Sequence, residues 1–190
     1  MNRKTIIFAG PSAVGKTYIA DELVRKHPGV FEQAKLYTTR AKRSAETASD
    51  RVFVSDTAFD EMIKNDQFIV YETFSGGRYG FTKQSLFPTT KHLLVNAWPW
   101  LIEQFSRYDH AIIIAMQAPH NWEKPFTQRM KERGDTTETI KRRLGLIEKD
   151  KSDLESNKKF LRTTDFYFTV IDNSTIPKLI IPEIETSLNL

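Results

Sequence analysis

The chain predicts an α/β fold with a mostly parallel core sheet, and three observations carry that expectation. Short apolar runs alternate with helical patterns: Ile6-Ile7-Phe8, Leu93-Leu94-Val95 and Ala111-Ile112-Ile113-Ile114-Ala115 read as buried strands, and Tyr18 to Lys26 as a helix. The first of these strands runs into a glycine-bearing turn, Gly10-Pro11-Ser12-Ala13-Val14-Gly15-Lys16-Thr17, that opens the helix. At 190 residues and 39% hydrophobic content, the chain is sized for a single domain, residues 1–190, with a full core.

Taken in order, the first helix carries Ile19, Leu23 and Val24 on one side, as a helix laid on a sheet should. Arg51 to Ser55 and Phe68 to Phe74 then read as strands around a short helix in which Phe59, Met62 and Ile63 share a face at i, i+3, i+4 spacing. Their texture differs from the flanking segments and predicts a small inserted lobe with its own strands, over about residues 35–87. Residues of about 1–34, 88–120 and 165–190 form the core in this division. From Trp122 to Phe160 charges dominate, interrupted by Gly134-Asp135, which predicts two charged helices joined by a turn. This stretch, about 121–160, reads either as a helical lid or as a solvated hairpin without a role. In the tail, Ser174 or Thr175 is a candidate helix N-cap, Pro177 is tolerable in the first turn, and Pro182 should kink or end the helix.

Composition excludes several chemistries. Zero cysteines remove disulfides, thiolate metal sites and a cysteine nucleophile, and the four histidines show no paired ligand spacing. No apolar run is long enough to span a membrane, and the apolar stretch after MNRK is too short for a signal peptide, so a cytoplasmic location is expected. The net charge of +4 is a mild excess, 28 basic against 24 acidic residues, without the long basic run that would argue for nucleic acid. The positive clusters, Arg40-Lys42-Arg43 and the stretch holding Arg129, Arg133, Lys141, Arg142 and Arg143, suit a phosphorylated small molecule equally well. Oligomeric state leaves no mark in the sequence.

Gly10 to Thr17 matches the Walker A pattern in full, between a strand and a helix as that pattern requires. Gly10 and Gly15 allow close backbone approaches, so that the N–H groups of Pro11-flanking residues Ser12, Ala13 and Val14 and of the helix start can turn toward phosphate oxygens. Lys16 would neutralise the outer phosphates and the Thr17 hydroxyl would ligate Mg²⁺. A plain strand-to-helix turn would need the glycines but not the adjacent Lys-Thr. If the phosphate is transferred to an acceptor that itself carries one, a second anionic grip is needed. Arg40 and Arg43, three residues apart, are candidates for it, although exposed basic loops are common.

Together these segments resemble the guanylate kinase family of nucleoside monophosphate kinases. Gly10-Pro-Ser-Ala-Val-Gly-Lys16 is similar to its GPSGxGK loop, Thr38-Thr39-Arg40-Ala-Lys-Arg43-Ser-Ala-Glu46 to its TTRxxRxGE segment, and Phe53-Val54-Ser55 with Phe59 and Met62-Ile63 to its FVSxxxFxxMI stretch. Phe74-Ser-Gly-Gly-Arg-Tyr79-Gly80 resembles its FSGNYYG segment, and Arg129, Arg133 and Arg142-Arg143 resemble its lid arginines. The likeness is collinear over about residues 5 to 174. It implies a P-loop kinase fold with an acceptor-binding lobe and a lid, and ATP with Mg²⁺ as the donor system. Lys16, Arg129, Arg133 and Arg143 are the implied catalytic residues, and Arg40, Arg43 and Tyr79 the implied grip on the acceptor phosphate. Asp172-Asn173 stands where the family has Asn-Asp near the adenine.

The departures concern the base. Where the family reads guanine or steadies the metal with a serine, a glutamate and acidic strand residues, this chain has Leu36, Val70 and Asn96, and a family tyrosine is replaced by Arg51 or Val52. Glu72, two residues beyond Val70 and on the same strand face, is a candidate substitute. Asn96 reads as an acceptor contact or as an N-cap for the helix opened by Trp98-Pro99-Trp100, and both tryptophans read as packing residues ahead of base stackers. The Val-Asn pair is also similar to the ribose-bisphosphate phosphokinases, which leaves a sugar phosphate as alternative acceptor. A further alternative, a non-catalytic domain of the same fold that binds phosphopeptides, would be expected to have lost Lys16 or the lid arginines.

Overall fold

The computed structural model describes residues 3–42, 50–74, 76–87, 90–132, 134–170 and 176–190. In chain order the first half holds β1 (Thr5–Ala9), α1 (Lys16–Lys26), β2 (Phe31–Gln33), β3 (Leu36–Thr38), β4 (Arg51–Phe53), α2 (Asp56–Lys64), β5 (Phe68–Phe74), β6 (Gly77–Thr82) and α3 (Lys83–Leu86). The second half holds β7 (His92–Ala97), α4 (Ile102–Phe105), β8 (Ala111–Gln117), α5 (Glu123–Glu132), α6 (Thr137–Asn157), β9 (Phe166–Thr169) and α7 (Ile181–Ser187).

A five-stranded sheet in the order β2-β7-β1-β8-β9, parallel throughout, forms the core. Its central strand β1 is buried at every residue, because helices cover both faces, and this is why it reads as an unbroken apolar run. The expected inserted lobe is present as a second sheet, β4-β3-β6-β5, in which β3 pairs parallel to β4 and antiparallel to β6. Phe59 of α2 stacks on Phe68 of β5 at 4.5 Å and closes the lobe's own small core. Ser55, expected as strand, instead caps α2, its side chain accepting the Ala58 N–H at 3.1 Å.

Pro182 stands where a helical break was expected: the wider turn over Ile176–Ile180 gives way at Ile181 to α7, with Pro182 in its first turn. The candidate caps Ser174 and Thr175 lie outside the described residues. One expectation on helices is corrected. Asn96 is not an N-cap but a residue of β7, and the turn Pro99–Leu101 starts from Trp98 with no side-chain cap.

The charged segment after Trp122 is a hairpin of α5 and α6, as expected, but one side of it is not solvated: Phe126, Met130, Ile140 and Ile147 belong to the cluster that includes Ile6, Phe8 and Ile19 of the sheet and α1. Among the described residues no helix is long and apolar enough to cross a membrane.

β9 is fixed to the sheet by a buried carboxylate. Asp165 accepts the Ile113 N–H at 2.8 Å and the Arg162 N–H at 2.8 Å, while the Arg162 guanidinium bonds the Tyr108 and Ala111 carbonyls. Asp165→Ala leaves the Ile113 and Arg162 backbone amides without their acceptor and the Arg162 guanidinium without its carboxylate. We expect a loss of about 3 kcal/mol or more, read as a lower urea midpoint with unchanged slope.

Candidate active site

The loop between β1 and α1 is shaped by two constraints. At Gly10 the chain runs so close to β8 that a Cβ would meet the Met116 carbonyl oxygen at 2.5 Å, and Gly15 adopts φ 112°, a left-handed conformation that favours glycine. Lys16 folds back over the loop, its Nζ donating to the Gly10 carbonyl at 2.6 Å and the Pro11 carbonyl at 2.8 Å. The N-terminus of α1 has no side-chain cap and no acidic residue in its first turn, so its amides remain for an incoming anion. A glycine-shaped cradle, an adjacent lysine and the Thr17 hydroxyl fit a triphosphate with a divalent ion as a donor set.

The loop forms one end of a cavity of about 230 Å³ between the two sheets. Ser12, Ala13, Gly15, Lys16 and Thr17 of the loop line it, Arg40 and Tyr79 of the lobe and Asn96 of β7 line it as well, and Arg129 and Arg143 approach from the hairpin. The lobe's pairing brings Tyr79 opposite Thr38, two residues from Arg40. Close approach is enforced at Gly77, where a Cβ would lie 2.7 Å from that of Arg40. Of the candidate site residues, Arg43, Arg133, Asp172 and Asn173 lie outside the described residues.

Glu72 departs from expectation. It keeps to the same strand face as Val70 and Phe74, but of the three Phe74 alone lines the cavity. Glu72 is paired with Tyr79 across the strands, accepts the Thr73 N–H at 3.1 Å, and borders a separate small recess with Val70 and Phe81. A register shift between Phe68 and Val70 adds a residue that sequence alternation does not reveal. The acceptor end is instead walled by Leu36, Phe74, Phe81 and Trp98. Trp98 serves packing as well, stacked on Trp100 at 5.5 Å and edge-on to Tyr79 at 5.4 Å. Asn96 turns a buried Oδ1 without a hydrogen-bond partner among the described residues.

Two residues not singled out from sequence, Gln33 and Asp50, join the cavity wall with Arg51, which the sequence placed at a family tyrosine position. Arg51 is bonded to Asp50 at 2.9 Å and Gln33 to Asp21 at 2.7 Å. Burial raises the Asp21 carboxyl above its ordinary range, partly offset by the Gln33 bond.

The hairpin grips the outside of the loop. Arg129 Nη1 donates to the Ala13 carbonyl at 2.9 Å, and Arg143 Nη1 reaches the Ser12 hydroxyl at 3.4 Å. Burial pulls the Arg129 guanidinium below its ordinary value, partly offset by Glu132. Asp150 of α6 is 1% exposed, and its Oδ2 has no hydrogen-bond partner among the described residues. Its carboxyl is pushed up to about 6 by burial, opposed by Lys16 and by the Ser12 N–H. The sequence signal for Asp150 was its place seven residues after Arg143 and three after Ile147, a carboxylate on the apolar stripe of the helix.

Comparisons with known proteins agree on one family. The family model described as "Guanylate kinase" matches residues 2–179. The guanylate kinase of Thermobifida fusca is 30% identical over 83% of this chain and 81% of its own length. The human guanylate kinase is 28% identical over 82% of this chain and 80% of its own. Among solved structures, guanylate kinase from Anaplasma phagocytophilum superposes with a TM-score of 0.61 at 17% identity, covering 98% of this chain and 85% of that one, which supports the fold.

The position of Asp150 has a measurable consequence for stability. Its folded pKa, about 6, lies above the unfolded value of 3.8, so the folded chain holds a proton that the unfolded chain releases. This contribution is complete below the unfolded value and is lost as pH rises through the folded one. Asp150→Asn should therefore be more stable than wild type at about pH 8, by on the order of 2–3 kcal/mol, and the difference should vanish at about pH 4. Urea titrations of both proteins at the two pH values measure it.

Proposed function

The chain belongs to the guanylate kinase family, and on that premise we propose that it transfers the γ-phosphoryl group of ATP to the phosphate of a nucleoside monophosphate. The observation that carries this reading is the single cavity with the phosphate loop at one end and Arg40 and Tyr79 at the other, bridged by Arg129 and Arg143. Relatives named guanylate kinases support a nucleotide acceptor, and neither the sugar-phosphate nor the peptide-binding alternative has such support.

In this reading an oxygen of the acceptor phosphate forms a bond to the γ-phosphorus as the bond to the β–γ bridging oxygen breaks, leaving ADP. No covalent residue is required, since orientation and neutralisation supply the rate. Lys16 and the loop amides hold the donor phosphates, and the Thr17 hydroxyl would hold a magnesium ion. If bound there, that ion would supply charge neutralisation to the donor phosphates. Arg40, Arg43 and Tyr79 orient the acceptor phosphate, while Arg129, Arg133 and Arg143 face the charge spreading over the transferred group. Asp172 and Asn173 border the donor base. The core, the acceptor lobe of about residues 35–87 and the lid of about 121–160 are the working parts of this scheme.

Base selection is the finer part of the proposal. Leu36 and Phe81 wall this side of the cavity with hydrocarbon and Glu72 does not line it, so a guanine edge would depend on Asn96, Gln33 and Asp50 for acceptors, and any donor that these do not reach would stay unmet. Each such donor costs on the order of 1–3 kcal/mol. Phosphate contacts are indifferent to the base, which leaves catalysis intact while discrimination falls.

Lys16→Ala should abolish ATP-dependent transfer while the far-ultraviolet spectrum and melting temperature stay near wild type. Near-normal turnover by this variant would show that the donor is held elsewhere. With GMP, dGMP, AMP, UMP and CMP as acceptors, GMP should exceed the others in kcat/KM by no more than about tenfold; a preference of about 10³ or more would overturn the relaxed-base reading.

A further inference from the structure

Asp150 is a buried charge in a protein that gains nothing from it by folding alone. A well-fitted apolar residue at a buried ionic position is commonly neutral or stabilising. Asp150 is 1% exposed, and its Oδ2 has no hydrogen-bond partner among the described residues. A buried polar atom left so calls for a reason outside packing.

Its surroundings supply one. Asp150 and Arg143 are seven residues apart on α6, hence on one face of the helix, with Ile147 fully buried between them. Both side chains act on the same stretch of the phosphate loop: Arg143 Nη1 lies 3.4 Å from the Ser12 hydroxyl, and the buried Asp150 carboxylate, with its Oδ2 unpartnered among the described residues, feels the Ser12 backbone N–H. The charge of Asp150 also acts on Lys16, whose ammonium is bonded to the carbonyls of Gly10 and Pro11. The ammonium that would meet the donor phosphates is thus steered from behind by carbonyl dipoles and by one carboxylate.

We propose that Asp150 is a positioning residue of the donor site, whose carboxylate fixes the Ser12 amide and the Lys16 ammonium so that the phosphate loop keeps its transfer-ready shape. The proposal rests on the phosphotransferase reading above and adds to it a residue that touches neither substrate. The negative charge has a cost in the ground state, because it repels the anionic donor. Its benefit is directional, since an ammonium displaced by even about 1 Å can forfeit up to about 100-fold in rate. The raised carboxyl of Asp150 is the thermodynamic trace of a charge kept in an unfavourable place.

Asp150→Asn keeps the shape and an oxygen acceptor for the Ser12 N–H but removes the charge, Asp150→Ala removes both, and Asp150→Glu restores charge on a longer arm. All three are compared with wild type at pH 8 in steady-state transfer assays with saturating acceptor, with the folded fraction measured separately by circular dichroism. Asp150→Asn should lower kcat about tenfold or more per folded molecule while KM for ATP stays equal or falls. Asp150→Ala should lose more, and Asp150→Glu should recover part of kcat. A residue serving only the fold would change the active fraction and leave kcat per folded molecule unchanged, and that outcome overturns the proposal. Equal kcat and KM for Asp150→Asn and wild type would overturn it as well. Wild type that neither binds nor consumes ATP would overturn both, whereas active wild type with indifferent Asp150 variants removes this inference alone.

Discussion

A loop that is to receive phosphate must keep several amides aimed at a place where no protein group can satisfy them, and something outside the loop has to hold it there. Most of this structure serves that requirement. The β1 strand is held between β7 and β8 along its whole length, so the point at which the loop departs is rigid. Gly10 lies against the Met116 carbonyl without room for a side chain, which fixes the loop to β8. Contacts from α5 and α6 then hold it at Ser12 and Ala13, through arginines that line the cavity with it.

What was legible in the sequence follows the range of the interactions concerned. The strand, turn and helix from Thr5 to Lys26 were legible because periodicity and glycine chemistry are local properties. The inserted lobe was legible for the same reason, through alternating strands around Phe59, Met62 and Ile63. Whether Glu72 lines the cavity was not, because the depth of the cavity depends on how two sheets meet. Asn96 was legible only as a choice between a cap and a cavity contact, because one residue fits two local roles and tertiary context decides between them. Asp150 lay in a stretch that composition marks as solvated, and its burial depends on a loop more than a hundred positions away.

The two ends of the cavity are built from different materials. At the donor end the walls are backbone and cations, chemistry that recognises phosphate whatever base it carries. At the acceptor end, Arg40 and Tyr79 supply polar contacts, but the surroundings are Leu36, Phe74, Phe81 and Trp98, held in register by an aromatic cluster. An apolar wall excludes water and so strengthens the electrostatics at the phosphate end, while it gives a base edge little to bond. Within this wall Asn96, Gln33 and the Asp50–Arg51 pair are the polar groups from which any base preference would have to be made.

The hairpin's apolar stripe also limits how a lid could work. Phe126, Met130, Ile140, Ile147 and Leu154 are all buried, and uncovering a side chain of this kind costs about 1.5–3 kcal/mol. Lifting all of them at once would consume a stability that in domains of this size is about 5–15 kcal/mol. A rigid swing of the whole hairpin is therefore too expensive to accompany each turnover. Burial is as complete at Phe126 and Met130 of α5 as at Ile147 and Leu154 of α6, so both helices are seated on the same core. Arg129 and Arg143 therefore reach Ala13 and Ser12 of the phosphate loop from a packed support, which fixes where their charges stand.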